Sequence, residues 1–208
     1  MGFLNAACSF TRFRIVDPVS PALLNEIPQK LRQPEFVFRD IDETADEQSF
    51  GWVCFEDMLD PQWHTAPPEK GSYFVFSLRL DTRRVPAGVI KKHLTLALRA
   101  ELARSKEQGK SYVSRERKKE LKEQVLLRLR SRFLPVPAEF NVIWSTETNT
   151  LWFASTQGKV IELFSDHFTK TFNLDIEQLT PYSLALSLVD EDAATSLDTI
   201  EPTRFAAE

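Results

Sequence analysis

The chain has 208 residues, 42% hydrophobic and 27% charged, with a formal net charge of −4. That composition excludes a wholly disordered chain, and no run nears the ~20 apolar residues of a membrane-spanning helix. Two cysteines, Cys8 and Cys54, make no disulfide framework, and six glycines leave little room for a phosphate-cradling loop.

The first eight residues lack the basic n-region and apolar core of a secretory signal, so a cytoplasmic protein is expected. Phe10 to Val16 alternates in side-chain character and stops at Asp17-Pro18, which predicts a strand. Ser20 and Pro21 suit the N-cap and first turn of a helix that Pro28 is expected to kink or break. The acids Asp40, Asp42, Glu43, Asp46 and Glu47 read as a solvated loop before a strand over Phe50–Phe55. Tyr73 to Val85 is the longest β-type run, and its polar end, Asp81 to Arg84, predicts that the strand leaves the core there.

Two helices are expected next, Pro86 to about Lys106 and Arg115 to about Arg132, the second capped by Ser114. Val89, Ile90, His93, Leu94, Ala97 and Leu98 form one stripe of the first helix, with Lys91, Lys92 and Arg99 opposite. The second helix has no apolar face until Leu121, Val125 and Leu129, with Phe133 extending that stripe. A helix polar all round cannot lie on a core, so the pair should project into solvent as a hairpin. Strands at Phe140–Trp144 and Leu151–Ala154 follow, then an amphipathic helix from Lys159 to Asn173. A last strand is expected over Tyr182–Leu188, before a frayed acidic tail.

The expected fold class is α+β: a β-α-β-β unit and a β-β-α-β unit joined by a protruding basic helical hairpin. Its parts are 1–85, 86–133, 134–188 and a tail, 189–208. Charge follows the same division. Residues 1–78 hold 6 basic and 12 acidic side chains, 79–132 hold 17 and 6, and 133–208 hold 3 and 12. A middle block of +11 between acidic flanks fits a surface that faces a polyanion, although a solvated basic helix surface has the same composition.

No dinucleotide, Walker, nucleophile-elbow or zinc-protease motif occurs. His64, His93 and His167 are scattered, and the last two sit on apolar helix faces, where a structural histidine is the better reading. The acids of 40–47 have neither metal-ligand spacing nor a neighbouring Lys or His to orient a water, so no catalytic residue, metal or cofactor is expected.

The basic residues are the one positive signal. Lys91, Lys92, Arg99 and Lys106 lie on the first helix, Lys110 in the turn, and Arg115, Arg117, Lys118, Lys119 and Lys122 open the second. Arg128, Arg130 and Arg132 close it. Only Tyr112 could stack a base in this stretch, so contact with duplex phosphates without base readout is favoured over single-strand binding.

Several segments together resemble one family. They are Gly51-Trp52-Val53, Val89 to Leu94 opening a helix, Lys118 to Leu126 ending near Ser131-Arg132-Phe133, and the hairpin around Trp144 and Trp152. In order and spacing they resemble the recombination-associated protein RdgC, from about Phe10 to Leu188. The resemblance implies a nucleoid-associated cytoplasmic protein that binds double-stranded DNA without sequence preference and restrains the RecA recombinase. It also implies a ring-shaped homodimer whose hairpins meet at their tips, with Leu129, Phe133 and Leu134 as interface candidates. The family usually continues into a further C-terminal region that helps close the ring, and this sequence stops before it. The family is sometimes labelled an exonuclease, which these residues do not support. A Mg²⁺-dependent exonuclease and a module that docks an acidic partner protein are the alternatives.

Overall fold

In the computed structural model, which describes residues 2–107, 112–197, 199 and 201, the strands join one seven-stranded antiparallel sheet. The chain runs β1 (Thr11–Ile15), α1 (Pro21–Leu31), β2 (Gln48–Val53), β3 (Glu69–Lys70) and β4 (Tyr73–Thr82). The helical hairpin follows, α2 (Ala87–Glu107) and α3 (Arg115–Arg130). The chain then forms β5 (Val136–Ser145), β6 (Thr150–Phe153), α4 (Gly158–Phe172), β7 (Ile176–Gln178), α5 (Pro181–Leu188) and α6 (Glu191–Leu197). The protein is α+β, as the sequence predicts.

The strand order is β2-β4-β5-β6-β1-β7, with β3 on β4. The two predicted units therefore share one sheet, and the first strand crosses over to lie between β6 and β7 of the second unit. The spine is the pair β4–β5, in register from Tyr73↔Ser145 to Thr82↔Val136. The hairpin is inserted where this pair ends at Thr82 and Val136, so it leaves from one end of the sheet.

Period-2 alternation gives the sheet two different faces. Phe74, Phe76 and Leu78 of β4, Val142 and Trp144 of β5, Phe153 of β6, Trp52 of β2 and Phe13 of β1 bury one face. α4 covers them with Val160, Phe164, Phe168 and Phe172, and α1 adds Ile27 and Leu31. Rings do most of this packing: Phe153 stacks on Phe164 at 4.1 Å, and Trp144 meets Phe168 edge-on at 5.5 Å. Trp52 donates its indole N–H to Thr171 at 2.9 Å, so its polar atom is satisfied inside the core.

Four sequence expectations change. Pro28 does not break α1, which continues to Leu31. One lost backbone bond is offset because Ile27 and Leu31, on either side of the proline, are fully buried. The polar end of β4 does not leave the core. Arg79, Asp81 and Arg83 are 8%, 1% and 3% exposed on the second face, beneath the segment 34–47. That segment crosses close over Gly51, where a Cβ would fall 2.6 Å from Phe38 Cα, so only glycine fits. Residues 182–188 are helical rather than extended, because Thr180 and Ser183 form a capping box and Pro181 opens the first turn. The pairing strand comes earlier, at Ile176–Gln178. Part of the tail is ordered too: Asp190 accepts from the Ala193 N–H at 2.9 Å at the start of α6.

Candidate nucleic-acid interface

The hairpin is held together by a narrow apolar seam. Leu121, Val125 and Leu129 of α3 are buried, whereas no residue of α2 is. The α2 stripe foreseen from the sequence, Val89, Ile90, His93, Leu94, Ala97 and Leu98, is only half-buried, and α3 is the element packed against it. Ser114 caps α3 as predicted, accepting from the Arg117 N–H at 3.2 Å.

Outside the seam the cations are displayed to solvent. Lys92, Arg99 and Lys106 recur every seven residues, a row with ~10 Å between members on the side of α2 away from the seam. Lys91 is exposed beside them. On α3, 100° per residue places Arg115, Lys118, Lys119 and Lys122 on one flank of the seam and Glu116, Glu120 and Glu123 on the side facing away from it. The helix therefore presents a basic edge rather than a uniformly basic surface. Arg128 is exposed in the cleft between the helices, and Arg132 is exposed just beyond α3. None of these ten side chains makes an ion pair among the described residues.

Two predicted contacts are committed inside the protein. Arg117 bridges the helices, donating to Glu101 at 2.8 Å and to Glu120 at 2.9 Å. The Arg117 hydrogen bonds hold the Glu101 carboxyl below its ordinary range, and the guanidinium is raised in return. Arg130 pairs with Glu47 of the acidic loop and ties the root of the hairpin to the sheet. Lys110 lies outside the described residues.

The interface candidates divide as well. Leu129 is 2% exposed and belongs to the seam, so it cannot meet a second copy. Phe133 is half-buried and Leu134 is 74% exposed, two residues before exposed Val136. Both lie where α3 returns to the sheet, at the hairpin's root and not at its outer end. α3 ends at Arg130, so the buried stripe stops at Leu129 and Phe133 lies beyond the helix rather than on it.

Sequence reasoning passed over three cations. Arg104 joins Arg117 and Arg128 in the interhelical cleft. Arg84 and Lys159 line an open groove of about 610 Å³ at the hairpin's root, between the end of β4–β5 and the start of α4. Arg84 lies within the basic block but at the end of a predicted strand, and Lys159 sits in an acidic stretch.

The buried charges of the body are structural in their contacts. Arg79 donates to both oxygens of Asp81 at 2.8 Å and stacks over Phe38 at 4.1 Å, and the bond to Asp81 raises its pKa. Arg83 donates to the backbone carbonyls of Ile41, Asp42, Thr44 and Asp46, so it organises the acidic loop from beneath. The carboxylates of Asp40, Asp42, Glu43, Asp46 and Glu47 remain exposed. Burial works against the charge on Asp60, but N–H groups of Thr65 and Gln62 outweigh it and lower its pKa. Among the described residues no three His, Cys, Asp or Glu side chains group as a metal site. Among them, too, no helix is long and apolar enough to cross a membrane.

A search of curated proteins returned no match to this chain. The model of the family described as "Putative exonuclease, RdgC" matches residues 9–188. That span takes in every strand, the inserted hairpin and the core helices. With one pattern covering the sheet and the basic hairpin together, the chain belongs to the RdgC family.

Proposed function

We propose that the protein binds double-stranded DNA without sequence preference through the hairpin, in recombination, alongside a RecA-type recombinase. One observation carries this reading: ten hairpin cations face solvent on several sides with no acidic partner among the described residues. Spread around two helices, they suit phosphates approached from several directions rather than base edges in one groove. The RdgC membership supports a nucleoid setting. A homodimer belongs to the same reading, with Leu134, and Phe133 beside it, as its anchor.

Gel shifts with unrelated duplexes test this directly. With ~6 phosphate contacts, affinity falls roughly a thousandfold between 50 and 200 mM salt. Replacing Lys118, Lys119 and Lys122 with Ala flattens that slope and weakens binding equally for every sequence. Unchanged affinity, or a strong preference for one sequence, sinks the assignment. Unlabelled duplex that fails to compete would favour docking of an acidic partner protein.

The second reading, an exonuclease, rests on the family's description. We infer a non-enzymatic role, supported by the lack of grouped ligands among the described residues. Asp42→Asn, Glu43→Gln and Asp46→Asn together should leave duplex affinity intact or slightly raised. Degradation of duplex ends with Mg²⁺ by the wild type, lost in this triple variant, would reverse the conclusion.

A further inference from the structure

The second face of the sheet carries an aromatic groove that duplex binding does not use. Val75, Ile143, Trp152 and Arg12 are direct cross-strand neighbours on β4, β5, β6 and β1, so they form one row on this face. Tyr73 begins β4 at one margin of the row, and Phe10 precedes β1, with Phe3 packed against it at 5.9 Å. Phe3, Phe10, Lys70, Tyr73, Val75, Ile143 and Trp152 line a groove of about 470 Å³, within the size range of sites for small planar groups, with Arg12 beside it as the cross-strand neighbour of Trp152. Phe10 is 45% and Tyr73 44% exposed, so the rings are displayed rather than sealed.

The charges around the groove are not balanced. Lys70 pairs with Glu56 at 2.8 Å and Arg14 with Glu177 at 2.7 Å. Arg12, on the strand beside Trp152, makes no ion pair among the described residues. An occupant that was only apolar would leave this neighbouring guanidinium unanswered. One that is flat and apolar over the rings and anionic beside Arg12 complements both features.

We propose that this groove binds unpaired bases of single-stranded nucleic acid, the rings stacking on bases and Arg12 taking phosphates. Stacking from a sheet face onto splayed bases needs no base-specific hydrogen bonds and tolerates any sequence. The site is separate from the hairpin. Tyr73 and Thr82 stand at opposite ends of β4, nine steps of ~3.4 Å or roughly 30 Å apart. It is carried by different residues from those of the duplex reading and stands or falls independently of it.

The test uses the full chain, a fluorescently labelled oligo(dT) and a blunt duplex, read by anisotropy, with tryptophan fluorescence followed against unlabelled oligo(dT). Trp52, Trp63 and Trp144 are buried, so quenching by the single strand reports Trp152. Phe10→Ala with Tyr73→Ala should weaken oligo(dT) at least tenfold, a fair share of the ~5- to 150-fold expected per stacked base, and leave the duplex unchanged. Arg12→Gln should lower the salt dependence of single-strand binding alone. Trp152→Phe, which keeps a ring in place, should abolish quenching while retaining binding. The variant lacking Lys118, Lys119 and Lys122 should show the reverse profile, losing duplex and keeping oligo(dT). Oligo(dT) affinity unchanged in the Phe10/Tyr73 variant, with an unaltered thermal melt, overturns the proposal. So does quenching by an acidic amphipathic peptide but not by oligo(dT), which would give the groove to a protein partner.

Discussion

In the sheet body, Arg79 and Arg83 are buried and every guanidinium contact is made to Asp81, to Phe38 or to backbone carbonyls. In the hairpin, ten of the predicted cations stand in solvent, and among the described residues Arg117 and Arg130 alone are tied to carboxylates. The body surrounds its charges because an unpaired charge in an apolar interior is costly, whereas the hairpin is too thin to bury any. Two helices in contact provide one seam, and everything outside it is wet. The same residue type is therefore cement in one region and a phosphate-facing surface in the other. A count of basic residues along the chain cannot separate the two uses.

The largest expected effect tests the cement. Asp81→Ala leaves Arg79 buried and unanswered, and should cost about 3–5 kcal/mol in urea denaturation. A loss below ~1 kcal/mol would mean that water reaches the pair and that the body is no drier than the hairpin.

Next comes a pH effect confined to the body. Burial holds the His167 pKa down at about 4, against an ordinary 6.5, even though its ring donates to the Phe36 carbonyl at 3.0 Å. Lys170 adds to the depression, and Phe36, Phe50 and Trp52 surround the ring. Below pH 6.5 the unfolded chain takes up a proton that the folded chain refuses until about pH 4. Stability is thus fully present above 6.5 and falls as pH drops toward 4, by roughly 3 kcal/mol in all. His167→Gln should flatten that slope in denaturation curves taken between pH 4 and 7. An unchanged slope would place the titrating group elsewhere.

Within the hairpin, two leucines five residues apart should behave differently. Leu129→Ala opens a hole in the seam and should cost about 2 kcal/mol, at the low end for core leucines because a two-helix seam can relax. Leu134→Ala should change the melt by less than ~0.5 kcal/mol, since the side chain is in solvent. Sedimentation of the Leu134 variant then reads the dimer alone, and a monomer with an unaltered melt supports the interface. A lowered melt with the oligomer intact would make Leu134 a folding residue.

The smallest expected effect on stability is that of replacing Lys118, Lys119 and Lys122 with Ala, within about 0.5 kcal/mol by thermal melt, although DNA affinity falls. Marked destabilisation would show that these lysines hold the hairpin together, and would spoil the contrast between the two regions.

Much of the architecture was legible because its signals are local. The helices of the hairpin, the Ser114 cap, the seam of Leu121, Val125 and Leu129, and the strands of β4, β5 and β6 all follow from periods of 3.6 or 2 and from capping chemistry. Over residues 182–188 the expected strand gives way to a helix, because the Thr180–Ser183 capping box sits at its start. Of the candidate site, the cations were legible as a set but not one by one. Arg117 reaches Glu120 one turn along its own helix, but its bond to Glu101 and that of Arg130 to Glu47 depend on the fold bringing those carboxylates to them.

The sequence by itself determined that an α+β body is interrupted by a basic helical pair with too little apolar surface to lie on a core. Period, capping and charge act over a few residues and need no partner from elsewhere in the chain. Only the tertiary structure decided that Arg79, Asp81 and Arg83 are buried, that Leu129 faces inward, and that β1 lies between β6 and β7. It alone gathered Phe10, Tyr73 and Trp152 on one sheet face. Those outcomes depend on contacts between segments tens of residues apart, where strand pairing and solvent exclusion set each side chain's surroundings whatever its neighbours in sequence.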